Sequence, residues 1–131
     1  MIHDEICTYE VCKLAKEKGF DVPTHYAYNE NCRKAMYMEL CLNRNAKDSC
    51  SISAPSQSLM QRWLREEKEV FVEVYTRPHF ATTHTKTFYV WNIQYCDCKQ
   101  AYRTFQAPQD TFYTYEEALE DALKYALENL V

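Results

Sequence analysis

Thr114-Tyr115-Glu116-Glu117-Ala118-Leu119-Glu120-Asp121-Ala122-Leu123-Lys124-Tyr125-Ala126-Leu127-Glu128-Asn129-Leu130 is the stretch on which the fold class turns. Thr114 and Glu117 have the spacing of a capping box, in which each side chain satisfies a backbone donor near the other. Ala118, Leu119, Ala122, Leu123, Ala126, Leu127 and Leu130 then recur every three or four residues. That period lays them along one broad stripe of a helix. Gly and Pro are absent from residue 109 onward, so nothing interrupts it. A stripe this wide must be buried against other elements.

The segments before it supply those elements. Val70, Val72 and Val74 alternate, as in a strand with one covered face. Phe88–Cys96 reads as the richest strand, with Tyr89, Trp91, Ile93 and Tyr95 on one face. A short run, Ala101–Gln106, is the next, stopped by Pro108. Upstream, Leu59, Met60, Trp63 and Leu64 form the apolar face of a helix that Ser53 caps, with Pro55 in its first turn. Residues 43–53 are polar and turn-rich and read as a loop. Thr24–Tyr28 and Ala35–Leu42 read as a hairpin, its turn built on Asn29-Glu30-Asn31-Cys32-Arg33. Met36, Met38, Leu40 and Leu42 alternate, which predicts that they point inward. A first helix runs over Tyr9–Lys18, capped by Thr8 and closed by Gly19, with Phe20 folding back on it.

The order α-β-β-α-β-β-β-α predicts an α+β fold with a mainly antiparallel sheet and helices on one face. One domain should span 1–131: an N-terminal helix and hairpin (1–43), a loop (43–53) and an α-β-β-β-α core (54–131).

Composition narrows the function classes. The single Gly excludes a glycine-rich phosphate loop. Met1-Ile2-His3-Asp4-Glu5 lacks the basic start and apolar core of a secretory leader. No apolar run approaches the ~20 residues that span a bilayer. The expected location is the cytoplasm, where seven Cys should remain thiols; an odd number also cannot pair completely. Net charge is −4 and uneven. Residues 33–68 carry seven Lys/Arg against four Asp/Glu, whereas residues 110–131 carry six Asp/Glu against one Lys. Solvated helix faces account for this more simply than a charged partner does.

Three segments carry a resemblance: Thr8-Tyr9-Glu10-Val11-Cys12-Lys13-Leu14-Ala15-Lys16-Glu17-Lys18-Gly19-Phe20; Ser53-Ala54-Pro55-Ser56-Gln57-Ser58-Leu59-Met60-Gln61-Arg62-Trp63-Leu64-Arg65-Glu66; and Thr114 to Leu127. In order and spacing the chain resembles a group of small proteins of Bacteroides-type gut bacteria and their bacteriophages. These share an S-A-P-[ST]-Q-S-L-x-Q-[KR]-W-L-R-E stretch and a closing T-Y-E-E-A-L-E helix. The resemblance implies an α+β fold and an origin in a mobile genetic element. It implies no activity and transfers no catalytic residue. The cysteines and the stretch from Ala81 to Lys86 depart from the pattern, so a metal or ligand site there would be this chain's own.

Four constellations could carry chemistry. Cys96 and Cys98, with His79 and His84, are candidate zinc ligands, but the second close pair usual in structural zinc sites is missing. An extended 96–98 would also hold the two side chains roughly 6.5–7 Å apart. His25 with Cys32, and His3 with Cys7, are Cys–His pairs without a nucleophile turn. Arg62, Arg65 and Lys68 are the only candidate patch for nucleic acid. The order of residues 55–130 is that of double-stranded RNA-binding domains, yet Tyr115-Glu116-Glu117 would repel phosphate where those domains dock it. The fourth is an apolar group, Phe71, Tyr75, Phe88 and Val90, on the sheet face away from the helices. The hairpin, a second copy of the chain or a partner protein must cover it. No cofactor is expected. The expectation is a non-catalytic protein that binds another protein, with nucleic-acid or metal-dependent function as the alternatives.

Overall fold

The computed structural model describes residues 4–46, 50–79, 86–96, 102–106 and 112–131, with the backbone alone at 77–79, 86–87 and 102–106. The fold is α+β with antiparallel sheets, and the elements come in the order read above with one short strand added.

Helix α1 spans Tyr9–Glu17. Thr8 caps it, its hydroxyl accepting the Val11 N–H at 3.4 Å. The helix ends in a Schellman motif. Gly19 takes φ +92°, its N–H donates to the Lys16 carbonyl (3.2 Å) and that of Phe20 to the Ala15 carbonyl (2.9 Å). This closure folds Phe20 into the core.

Strands β1 (Thr24–Asn29) and β2 (Ala35–Leu42) form the hairpin. Asn29 organises the turn: its side chain accepts the Asn31 N–H (2.8 Å) and its carbonyl accepts those of Cys32 and Arg33. The end of the polar loop adds β3 (Ser51–Ser53), which pairs with β1 and makes a sheet ordered β2-β1-β3. Ser53 therefore does not cap the second helix. Pairing with Ala27 holds it extended, and its side chain already accepts the Arg44 N–H at 2.9 Å. The cap is Ser56, which accepts the Leu59 N–H at 3.2 Å, so Pro55 precedes the cap.

Helix α2 (Gln57–Glu67) leads into a second sheet, β4 (Val70–His79), β5 (Lys86–Cys96) and β6 (Tyr102–Gln106), in the order β4-β5-β6. β4 and β5 pair without a slip from Val70↔Tyr95 to His79↔Lys86. Helix α3 (Tyr115–Asn129) closes the chain, with Thr114 accepting the Glu117 N–H at 3.1 Å.

The core lies around α3, which packs on β4, β5, α1 and α2. Ala118, Leu119, Ala122, Leu123, Ala126 and Leu127 are all buried. The alanines keep the helix surface low, so neighbouring backbones can approach closely. Facing them are Val70, Val72, Trp91 and Ile93 of the sheet, Met60, Trp63 and Leu64 of α2, and Val11, Cys12 and Ala15 of α1.

Candidate functional site

The hairpin departs most from its sequence reading. Met36, Leu40 and Leu42 do not point into the core: they are 55%, 67% and 46% exposed, and Met38 is only half-buried. Two features explain this. β2 is the edge of its sheet, and no element except β1 packs substantially on it among the described residues. Its register also slips. Between Tyr26↔Tyr37 and Thr24↔Leu42, β1 advances two residues while β2 advances five. The extra residues form a bulge that breaks the simple two-face alternation.

An apolar surface results. Tyr37, 61% exposed, stacks on the His25 ring (centroids 5.7 Å, 16° between planes) and meets Tyr26 edge-on (5.4 Å). Met36, Leu40 and Leu42 belong to the same strand. The one acidic group within β2, Glu39, is exposed as well.

The other candidates fare differently. Cys96 ends β5 and is half-buried; Cys98 and His84 lie outside the described residues, and His79 ends β4 with only its backbone described. Among the described residues, no three His, Cys, Asp or Glu side chains are grouped to hold a metal ion. His25 has Tyr37 as its ring partner, and its Nδ1 lies 3.2 Å from the Met38 carbonyl. Cys32 is exposed in the turn, and His3 lies outside the described residues. Arg62 is paired with Glu66 on the next turn (3.0 Å), and Glu67 follows, so α2 shows no unbroken basic stripe. On the face of the second sheet away from the helices, Val90 is buried and Phe71 and Phe88 are half-buried. Tyr113 lies 5.7 Å from the Phe88 ring, and Tyr75 is 45% exposed. The hairpin is not their cover, because β2 packs substantially on β1 alone among the described residues.

A polar network missed by sequence reading ties three elements together. The Glu120 carboxylate accepts the Thr8 N–H and a Gln57 side-chain N–H, each at 2.7 Å. Gln57 also donates to the Glu116 carbonyl (2.9 Å), and its own N–H donates to the Glu5 carbonyl (2.8 Å). Sequence separations of 63 and 112 residues left no local pattern to reveal it. Below this network the Cys7 carbonyl accepts from the Tyr28 hydroxyl at 2.8 Å. The hydrogen bond with Cys12 and burial hold the Cys7 thiol well above its ordinary range, which leaves little thiolate for nucleophilic chemistry.

Beside the network, a shallow groove of about 410 Å³ between α1, α3 and the hairpin turn is lined by charges of both signs, among them Glu10, Lys13, Arg33 and Lys124. Lys124 is already paired with Glu10 at 3.4 Å. No described helix is long and apolar enough to cross a membrane. No family model, curated protein or solved structure matches the chain.

Proposed function

We propose that this chain is a non-catalytic binding protein, an accessory factor of a phage or mobile element, that works by contacting another protein through its N-terminal hairpin. The observation that carries this reading is the edge strand β2, with Met36, Tyr37, Leu40 and Leu42 all exposed. Isolated exposed apolar residues are ordinary, but several on one short edge strand mark a surface that association would bury. Tyr and Met suit such a surface: Tyr offers large area with few rotatable bonds, and Met adapts to the shape it meets. The bulge limits how long a backbone ladder a partner could add, so side chains carry most of the contact.

Paired variants test the proposal. Tyr37→Glu with Leu40→Glu should leave the circular dichroism spectrum unchanged, since neither side chain is buried. The same variant should lose the proteins that the wild type captures from host lysate, identified by mass spectrometry. Tyr75→Glu, on the other sheet, should retain them. Equal capture by wild type and the hairpin variant would refute the hairpin as the contact surface.

A further inference from the structure

Cys7 and Cys12 occupy a special pair of positions. With Thr8 as the cap of α1, Cys7 is the residue before the cap and Cys12 is the fourth helical residue. Helices commonly place two apolar side chains there in mutual contact, fixing the angle at which the chain enters. Here both are thiols, and both are fully buried. The Cys12 thiol donates to the Cys7 carbonyl at 3.6 Å, which sets the two residues side by side. The main chain of Cys7 is held from two further sides, by the Tyr28 hydroxyl on its carbonyl and by the Pro55 carbonyl on its N–H (3.0 Å). Packing alone would be met by two aliphatic side chains. Two thiols at adjoining positions, one of them hydrogen-bonded to the other residue's carbonyl, add a chemistry that aliphatic residues lack.

We propose that Cys7 and Cys12 are a modification site: a dithiol that a hydroperoxide closes into a disulfide, covalently fastening the segment before α1 to its second turn. One sulfur attacks a peroxide oxygen, giving a sulfenic acid and releasing water. The second sulfur displaces the sulfenic hydroxyl, which leaves as water with the second thiol's proton. Two thiols and one hydrogen peroxide become one disulfide and two waters, the pair of sulfurs supplying both electrons. The raised range of the Cys7 thiol and the burial of both sulfurs make the closed fold slow to react. Oxidation therefore follows opening of residues 4–8, which are held on α2 and α3 by the Gln57–Glu5, Cys7–Pro55 and Thr8–Glu120 hydrogen bonds and the Ile6↔Ser56 bridge. Cys32, Cys41 and Cys50, all exposed, lie outside this arrangement.

The experiment uses the full reduced chain, treated with hydrogen peroxide, blocked with N-ethylmaleimide in denaturant and mapped by mass spectrometry. The expected product links Cys7 to Cys12, lacks both maleimides there, reverts with dithiothreitol and unfolds at a higher temperature than the reduced form. Urea below the unfolding transition should speed its formation. A variant with Cys32→Ser, Cys41→Ser and Cys50→Ser removes the exposed competitors and should give the same link. If that variant fails to fold, the map of the wild type decides. Recovery of Cys7 and Cys12 as maleimide adducts after the exposed thiols are consumed would overturn the proposal. So would disulfides joining either residue to other cysteines as often as to each other.

Discussion

Tyr28 donates its hydroxyl hydrogen to the Cys7 carbonyl, and burial first, then the Cys12 thiol and the Glu120 carboxylate, push its pKa from 10.0 to about 12. The neutral form is the one the fold prefers. Its contribution to stability is therefore complete below pH 10 and is lost as pH rises from 10 towards 12. Cys7 acts in the same direction, from above its ordinary value of 9.0. Urea midpoints measured from pH 7 to 12 should fall on the alkaline side, and Tyr28→Phe should flatten the fall above pH 10. At neutral pH the same change should cost about 1 kcal/mol, the net worth of one hydrogen bond; parallel pH curves for the two proteins would contradict the assignment. Trp63 is the larger packing unit. It is buried, meets Phe20 edge-on at 5.3 Å and carries the Lys68 ammonium 5.3 Å from its ring centre. Trp63→Ala should cost roughly 3–5 kcal/mol by urea denaturation. Thr114→Ala, which removes only the cap of α3, should cost about 1 kcal/mol.

Among elements, α3 is joined to the segment before α1 and to the start of α2 by one carboxylate. Glu120→Ala would leave the buried Gln57 amide and the Thr8 N–H without that acceptor, at a cost of about 1–3 kcal/mol. Glu120→Gln keeps an acceptor oxygen and should lose less; equal losses in urea titrations would mean that packing, not the hydrogen bonds, is at stake. The helices were legible because their signals are local. Thr8, Thr114 and Gly19 sit where caps and closures must, and the 3.6-residue period names the buried faces of α2 and α3. The valines of β4 and the aromatic face of β5 were legible for the same reason. The hairpin was not, because alternation at Met36, Met38, Leu40 and Leu42 shows that two faces differ but not what covers either. The bulge opposite His25 leaves no trace in that alternation. Nor did Ser53 disclose that β1 would take it as a strand partner before a helix could. The exposed surface of β2 was hidden by the same ambiguity, since the residues that compose it are those read as interior.

At the scale of the whole molecule, the strand pairing of the described residues falls into two separate sheets, with α2 carrying the chain from one to the other. Leu40→Glu, on the edge of the first sheet, should change the unfolding free energy from urea titration by no more than about 0.5 kcal/mol, because the side chain is already in water. Among the described residues no strand hydrogen-bonds across the two sheets, so β2 can open from β1 without unzipping β4, β5 or β6. In amide hydrogen exchange this sets a hierarchy. The β2 amides should exchange through a small opening, well below the free energy of complete unfolding. Those of α3 and the paired β4–β5 centre, at Val72↔Ile93 and Val74↔Trp91, should be the slowest and should report the global value. The protein would then consist of a slow kernel and an outer strand able to lift from it on its own, and a partner seated on β2 would raise the protection of both by the free energy of binding.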